Sequence, residues 1–387
     1  MEGKTRIDMS RDVLIAGDYL ITPLGAGTAL NFRKVMEGES AVKQAYLPEM
    51  AEHPLFLARI DEGLLPPLLR DDERYTRLEK FFIAALEALI AEHDIPKDGR
   101  TLVLLSTTKG NISLLNNPRG GFPEERIYLS TMAEVIRRRI GFENPVIPLS
   151  NACISGALAL TVAGQLMQSG RYEYAVVVGG DEISRFIVSG FHAFQALADA
   201  PCRPFDRDRN GLNLGEAVAA AYLTRIPKPD TVRILGTGSF NDANHISGPS
   251  RTGEGLYRSI RAAMAEADSP AIDFISAHGT ATRYNDDMES IALHRCGLTA
   301  VPLHSLKGYY GHTLGASGLL ETILGIHSLK TGRLIPSLGF VQEGTTHPLN
   351  IIRQATAERP LRTFLKTASG FGGCNIATVF QQTGQHG

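Results

Sequence analysis

Short apolar runs alternate with longer amphipathic segments along the whole chain. The short runs are rich in Val, Ile, Leu and Ala and end near Gly, Pro or Asn, a pattern that predicts buried strands. They are Val13–Ala16, Thr101–Ser106, Ala175–Gly179, Ala219–Leu223, Phe274–Ala277 and Ile376–Phe380. Longer patterns with helical spacing are Tyr75–Glu92, Cys153–Ser169, Gly255–Ala267 and Gly318–Leu329. This alternation predicts an α/β fold whose sheets are covered by helices on both faces.

The length of 387 residues predicts two domains or two fused halves. The segment Pro227–Asp230 follows a strand-like run and is a suitable seam, so the predicted units are residues 1–226 and 227–387. Residues 40–75 and 107–145 are irregular and rich in Pro, Gly and charge. We expect these two segments to be surface insertions around a site rather than core.

The composition excludes several classes of function. A formal net charge of −2 gives no general basic surface for nucleic acid. The four cysteines form no CxxC pair, so neither a zinc site nor a disulfide framework is expected. The N-terminus lacks the apolar core of a signal peptide, and no apolar stretch is long enough to span a membrane. We therefore expect a cytoplasmic protein without a bound metal.

Cys153 is the first candidate nucleophile. The preceding segment, VIPLSNAC, reads as an extended run, and a helix of small residues follows it. A thiol at a helix start lies near the positive end of the helix dipole, which favours the thiolate and lowers the pKa. The alternative is a buried structural cysteine, and that role is expected for Cys202, Cys296 and Cys374.

The motif FISAHGTAT places His278 at the end of a short strand. Gly279 permits a sharp turn, and Thr280 and Thr282 then offer hydroxyl groups to a ligand. The alternative is a histidine that only caps the strand end.

The motif LKGYYGHTLGASGLLE places His312 before a helix rich in small residues. Lys307 lies five residues upstream, and a cation there would keep nearby imidazoles neutral or oriented. Glu321 falls on the apolar helix, where an unpaired carboxylate is costly, so we expect it to pair with Lys307 or another site residue. A solvated Lys–Glu pair is the alternative.

A glycine-rich loop, ASGFGGCN, precedes the last predicted strand. Such a loop can direct backbone N–H groups at a ligand. Together with the N–H of Cys153 it could form an oxyanion hole, although a plain turn would have the same composition.

The order of these motifs resembles that of the β-ketoacyl-acyl-carrier-protein synthases. A nucleophilic Cys is followed by HGTxT, then K-x4-GH with a trailing Glu, then GFGG-x-N, and CRPFDRDRNGLNLGE is similar to another segment of that family. The closest resemblance is to the elongating KAS I/KAS II type, within the thiolase-like superfamily. It implies two similar halves stacked as α-β-α-β-α layers. The motifs GYYGHTLGASG and HGTATRYND look more like synthases of specialised polyene or aryl-polyene pathways, and GEAV replaces the family's GEGA.

The resemblance also implies residue roles. Cys153 would accept the acyl chain, His278 and His312 would complete a Cys-His-His triad, and Lys307 and Glu321 would be accessory. Phe371 would be the gating residue beside the oxyanion hole. The roles implied for the remaining residues are pantetheine binding by Thr280 and Thr282 and carrier-protein docking by Arg203.

The implied activity is a decarboxylative Claisen condensation of malonyl-carrier protein with an acyl chain held on Cys153. The implied partners are an acyl carrier protein, acyl and malonyl thioesters and a second subunit, as a homodimer or as a heterodimer with a related chain. No cofactor is required. Two alternatives stay open: an initiating KAS III-type enzyme, and a non-catalytic subunit like the chain-length factor, although Cys153 argues against the latter.

Overall fold

The computed structural model describes residues 12–115, 121–244 and 246–383. The strands within these residues are β1 (Leu14–Thr22), β2 (Gly25–Ala26), β3 (Lys43–Ala45), β4 (Leu55–Ala58), β5 (Thr101–Ser106), β6 (Val146–Leu149), β7 (Tyr174–Asp181), β8 (Leu214–Gly215), β9 (Ala217–Thr224), β10 (Val232–Asn241), β11 (Phe274–Ser276), β12 (Leu303–His304), β13 (Thr363–Gly370) and β14 (Cys374–Gln382). The α-helices are α1 (Thr28–Met36), α2 (Pro67–Arg70), α3 (Arg77–Glu92), α4 (Leu129–Ile140), α5 (Ser155–Gln168), α6 (Arg185–Ala193), α7 (Glu254–Glu266), α8 (Arg283–Arg295), α9 (Lys307–Tyr310) and α10 (Ser317–Thr331).

The main sheet consists of two halves with the same strand order. The order is β6-β5-β7-β9-β1 in the first half and β12-β11-β13-β14-β10 in the second. If the five strands of each half are numbered along the chain, both halves have the spatial order 3-2-4-5-1. Strand pairs at equivalent places in the two halves are also both parallel or both antiparallel. The halves meet where β1 pairs with β10, at Leu14–Arg233 and Ile15–Val232. This repeat confirms the expectation of two similar halves.

The helices form three layers around these two half-sheets. Helices α3 and α4 cover the outer face of the first half, and α7 covers the second half and packs against α8. Helices α5 and α10 lie between the halves, where they contact each other and strands of both. The fold is thus the expected α-β-α-β-α arrangement, with buried apolar side chains in every interface.

Two glycines allow the central helices α5 and α10 to touch. A Cβ at Gly156 would lie 2.8 Å from the backbone N of Leu319, and one at Gly318 would lie 2.5 Å from that of Ala157. Only glycine fits such an approach. The close contact brings the start of α5, next to Cys153, beside the start of α10.

The predicted strands and helices are all present, with ends that differ by at most two residues except in β1, which continues six residues beyond the predicted end at Ala16. The expectation that residues 40–75 and 107–145 are surface insertions is wrong in part, because both segments contribute to the core. Residues 116–120 lie outside the described residues. Helix α4 buries Ile136, and Leu69 is buried in the same cluster. The apolar spacing of four residues along α4 is visible in the sequence, but the Arg-rich run within it obscures the pattern.

Among the described residues, no helix is both long and apolar enough to cross a membrane.

Candidate active site

Cys153 lies in the turn between β6 and α5, where the backbone is strained. Ala152 has φ +44°, a left-handed conformation that costs about 1–2 kcal/mol for a residue with a Cβ. Ser155 fixes this turn, since its Oγ accepts a hydrogen bond from the N–H of Asn151 (2.8 Å) and donates one to the carbonyl of Ala152 (2.6 Å). The turn presents Cys153 to a cavity of about 520 Å³.

The Cys153 thiol is buried, and this changes its expected acidity. Burial raises its pKa to about 12, neighbouring Cys374 adds to the shift, and Lys307 opposes it. The prediction of a lowered pKa is therefore wrong for this structure, because the cost of desolvating a thiolate exceeds the stabilisation from a helix start. The Cys153 thiol is therefore neutral at neutral pH, and a reaction at its sulfur would need a base to remove the proton.

His278 follows β11 and is held through its main chain. Its backbone N–H donates to Glu289 Oε1 (2.9 Å), and the N–H of Gly279 donates to Glu289 Oε2 (2.6 Å). On the other side, Lys307 Nζ donates to the carbonyl of His278 (3.0 Å). Charged side chains thus fix both backbone polar groups of this residue, which leaves the ring free to face the cavity that it lines.

His312 precedes α10 and is held by its ring as well as by its backbone. Its N–H donates to the carbonyl of Asn213 (2.6 Å), and its Nδ1 lies 3.0 Å from Ser317 Oγ. Gly311 makes this possible, since φ is +66° and a Cβ there would lie 2.7 Å from the carbonyl oxygen of Leu214. The Nε2 atom of His312 has no hydrogen-bond partner among the described residues.

The two imidazoles meet edge to face, with ring centroids 5.2 Å apart and an interplanar angle of 83°. Burial lowers the pKa of both His278 and His312 well below the usual value, and the charge of Lys307 adds to the effect. Both rings are therefore neutral at neutral pH. A neutral imidazole can donate one hydrogen bond and accept another.

A buried ionic bridge of two lysines and one glutamate lies behind the histidines. The predicted pair is present, because Lys307 Nζ donates to Glu321 Oε1. Lys366 Nζ lies 2.7 Å from Glu321 Oε2, and this residue was not predicted. Burial acts to raise the pKa of Glu321, but the two lysines outweigh it and the pKa is lowered. The sequence does contain an indication of this residue. Lys366 lies within the apolar strand TFLKTASG, and a cation buried there requires an anionic or hydrogen-bonding partner.

The glycine-rich loop Phe371–Gly373 approaches Cys153 at the end of β13. A Cβ at Gly370 would lie 3.1 Å from the backbone N of Cys153, so the two segments are in direct contact. The ring of Phe371 packs against Phe191 and Phe194, with centroid distances of 5.5 and 5.1 Å. This half-buried aromatic group lines the same cavity as Cys153.

The cavity also brings the predicted threonines together. The hydroxyl oxygens of Thr280 and Thr282 lie 2.9 Å apart and both residues line the cavity. Arg203 is exposed and is not part of the cavity lining. Glu289 and Ser317, which position the two histidines, were not predicted. Within the described ranges, no group of His, Cys, Asp and Glu side chains has the arrangement of a metal site.

The sequence matches two family models along most of its length. Residues 72–228 match the N-terminal domain of β-ketoacyl synthases, and residues 231–341 match their C-terminal domain. Nodulation protein E of Rhizobium sp. (strain N33) is 30% identical, with 97% of this chain and 100% of that protein covered. The 3-oxoacyl-[acyl-carrier-protein] synthase 2 of Rhizobium meliloti (strain 1021) is 27% identical, with 97% and 100% covered.

The fold is also similar to that of a solved β-ketoacyl synthase structure. A β-ketoacyl synthase from Burkholderia phymatum STM815 superposes with a TM-score of 0.87 at 25% identity, with 97% of this chain and 100% of that chain covered. The similarity therefore extends over both halves and includes the segments that carry Cys153, His278 and His312. On this evidence of sequence and fold, the chain belongs to the β-ketoacyl synthase family of condensing enzymes.

Proposed function

We propose that the protein is a 3-oxoacyl-acyl-carrier-protein synthase that joins a malonyl unit to an acyl chain held on Cys153. The observation that carries this proposal is the shared cavity, in which a buried thiol meets two neutral imidazoles. A nucleophile that carries the acyl chain and two neutral donors for an enolate are the groups that this reaction needs. The relatives that act as 3-oxoacyl-[acyl-carrier-protein] synthases support the same assignment.

In the first stage the Cys153 sulfur attacks the carbonyl carbon of the incoming acyl thioester. One of the two neutral imidazoles accepts the thiol proton and passes it to the departing pantetheine sulfur. The N–H groups of Cys153 and Phe371 are proposed to stabilise the tetrahedral oxyanion, and the approach of β13 to the Cys153 amide supports this. The product of this stage is an acyl-enzyme thioester.

In the second stage a malonyl thioester enters and its carbonyl oxygen accepts hydrogen bonds from His278 and His312. Carbon dioxide leaves, and the two donors stabilise the enolate that results. The enolate carbon then attacks the acyl carbonyl on Cys153, a C–C bond forms, the C–S bond breaks, and the Cys153 sulfur takes up a proton. Lys307 and Glu321 are proposed to support the two histidines from behind rather than to contact the substrate.

The carrier arm is proposed to reach Cys153 past Thr280 and Thr282, whose hydroxyl groups line the same cavity. Arg203 is proposed to contact the acidic carrier protein, and its exposure supports this role. We also propose domain boundaries at residues 1–226 and 227–387, of which 1–11 and 384–387 lie outside the described residues. The repeated strand order supports this division.

We further propose a cytoplasmic protein that forms a dimer. Strand β6 lies at one end of the main sheet, and Ile147 on it is 41% exposed. An edge strand of this kind can be covered by a second subunit, either another copy or a related chain.

The test of the proposed function is intact-mass measurement after incubation with acyl-carrier proteins, acyl-CoA and malonyl-carrier protein. We expect an acyl adduct on Cys153 from the acyl-carrier protein and a 3-oxoacyl product after malonyl-carrier protein is added. Faster acylation from acyl-CoA would instead favour an initiating synthase. The absence of any adduct, with or without a related partner chain, would favour the non-catalytic subunit.

Replacement of Phe371 by alanine is expected to change the rate or order of substrate entry more than the chemistry. The ring packs on Phe191 and Phe194 beside the cavity, so its loss opens the approach to Cys153. We expect acylation to change several-fold while the amount of adduct at completion stays the same. Stopped-flow or quenched acylation measures this, with Phe240→Ala, an exposed phenylalanine on β10, as control. An unchanged acylation rate would remove the gating role.

A further inference from the structure

Lys366 is a buried cation for which the two-stage mechanism has no use. Its side chain is about 1% exposed and extends from β13 into the region behind the two histidines. Its Nζ donates to the carbonyls of Ser276 (3.2 Å) and Thr367 (2.6 Å) and lies 2.7 Å from Glu321 Oε2. Burial of a lysine is costly in desolvation, and pairing of this kind is needed to offset the cost.

Together, Lys366 and Lys307 hold the end of β11. Lys366 donates to the carbonyl of Ser276 and Lys307 to that of His278, while Glu289 accepts from the N–H groups of His278 and Gly279. Glu321 joins the two ammonium groups. The main chain that carries His278 is therefore held by cations on its carbonyl side and by an anion on its amide side.

We propose that Lys366 is a positioning residue for the condensation, which fixes the end of β11 and keeps His278 and His312 uncharged while carbon dioxide leaves. This inference rests on the proposed function. Lys366 does not contact the substrate; it acts through the two histidines and through Glu321.

The charges around the histidines support this role. Those that act on both rings are Lys366 from β13 and Lys307 from α9, and the titratable groups around these lysines are Glu321 from α10, Glu289 and Asp286 from α8, and His304 from β12. Burial and the neighbouring Asp286 raise the pKa of Glu289, and burial lowers the pKa of His304 to about 4. Lys307 and Lys366 both act to lower the pKa of the two histidines, and their charges therefore disfavour an imidazolium.

The charge of Lys366 determines the direction in which its loss changes the pKa of the two histidines. Lys366 is one of the groups that lower the pKa of both His278 and His312. Its removal therefore raises both pKa values, and the neutral fraction of the imidazoles falls as the pH is lowered. The loss of this cation is therefore expected to move the acid limb of decarboxylation to higher pH.

The experiment compares Lys366→Met, Lys366→Gln and Lys366→Arg with the wild type and with Lys43→Gln, a control at an exposed lysine. Release of carbon dioxide from malonyl-carrier protein is followed between about pH 4 and 8.5, so that the titration of imidazoles with a lowered pKa falls within the range. We expect the acid limb of the Met and Gln variants to lie at higher pH than that of the wild type, with a several-fold loss of rate on that limb and little change near about pH 8. The Arg variant keeps a cation at this position, so its acid limb is expected to lie nearer to that of the wild type than the acid limbs of the neutral variants do.

Imidazole nitrogen chemical shifts, recorded over the same pH range, provide a second readout that does not depend on turnover. They should show His278 and His312 protonating at higher pH in the Met and Gln variants. Unchanged shifts and an unchanged pH profile in Lys366→Gln would overturn the proposal. So would insolubility of both neutral variants beside a soluble Arg variant, since that result indicates a purely structural role.

Failure of the proposed function would look different. A wild-type protein that forms no adduct on Cys153 and releases no carbon dioxide would refute the synthase assignment. The nitrogen shifts would still report whether Lys366 controls the charge of the two histidines.

Discussion

Replacement of Cys153 by alanine is expected to abolish the acyl-enzyme and to reduce condensation by at least about 10⁴-fold, as for other covalent nucleophiles. Cys153 is the cysteine that shares the cavity with both histidines. Malonyl decarboxylation should persist in this variant, because the groups proposed to hold the enolate are unchanged. Intact-mass analysis reports the adduct, and carbon dioxide release reports the decarboxylation.

The matched control for this variant is Cys296→Ala. Cys296 is a half-buried cysteine at the end of α8, and its sulfur lies 4.0 Å from the carbonyl of Tyr257, away from the cavity. The Cys296→Ala variant should be acylated on Cys153 and should catalyse condensation like the wild type. An adduct of the expected mass on any residue other than Cys153 would contradict the assignment of the nucleophile.

The protonation state of the Cys153 thiol bears on how acylation can occur. Because burial raises the pKa of Cys153 to about 12, the thiolate is scarce at neutral pH. We therefore expect acylation to depend on proton transfer to an imidazole within the site rather than on a preformed thiolate. The sequence motif suggested the opposite, since a helix start is visible in a sequence whereas the depth of burial is set by distant segments such as β13.

The fold could be read from the sequence to a large extent because the strands are short apolar runs. Buried strands such as β5 and β7 are apolar along almost their whole length, which is the pattern expected where helices cover both faces. Helix α4 was missed because its buried positions alternate with charges, so that its amphipathic pattern is easily confused with an irregular surface segment.

The site was predictable where a residue carries its own local motif. Cys153, His278, His312 and Phe371 each stand beside glycine or small residues that their turns require, so they are visible in the sequence. Lys366 and Glu289 carry no such motif. Their positions depend on pairing between β13, β11 and α8, which are separated by many residues along the chain.

Replacement of either histidine should give the converse of the Cys153 result. His278→Ala or His312→Ala removes one of the two donors proposed to stabilise the enolate, and the loss of one such donor reduces the rate by about 10²–10³-fold. Acylation of Cys153 should remain detectable, because the other imidazole can still accept the thiol proton. Carbon dioxide release and intact-mass acylation measure the two steps separately.

The two histidines should differ in how they respond to changes in their support. His312 is held by its ring nitrogen through Ser317, so Ser317→Ala should weaken decarboxylation in the same direction as His312→Ala but to a smaller extent. His278 is held through its backbone by Glu289 and Lys307, and its ring contacts no comparable side-chain hydroxyl in the described residues. His294→Ala, at an exposed histidine stacked on His347, is the control.

Together the Cys153 and histidine variants separate the two stages of the reaction. If Cys153→Ala decarboxylates without forming an adduct and the histidine variants form an adduct but decarboxylate far more slowly, Cys153 is required for the first stage and both histidines for the second, while either imidazole alone suffices as the base for Cys153. Equal loss of acylation and decarboxylation in a histidine variant would contradict this division. It would indicate instead that the imidazole pair serves mainly as the base for Cys153, the one role that the raised thiol pKa demands of it.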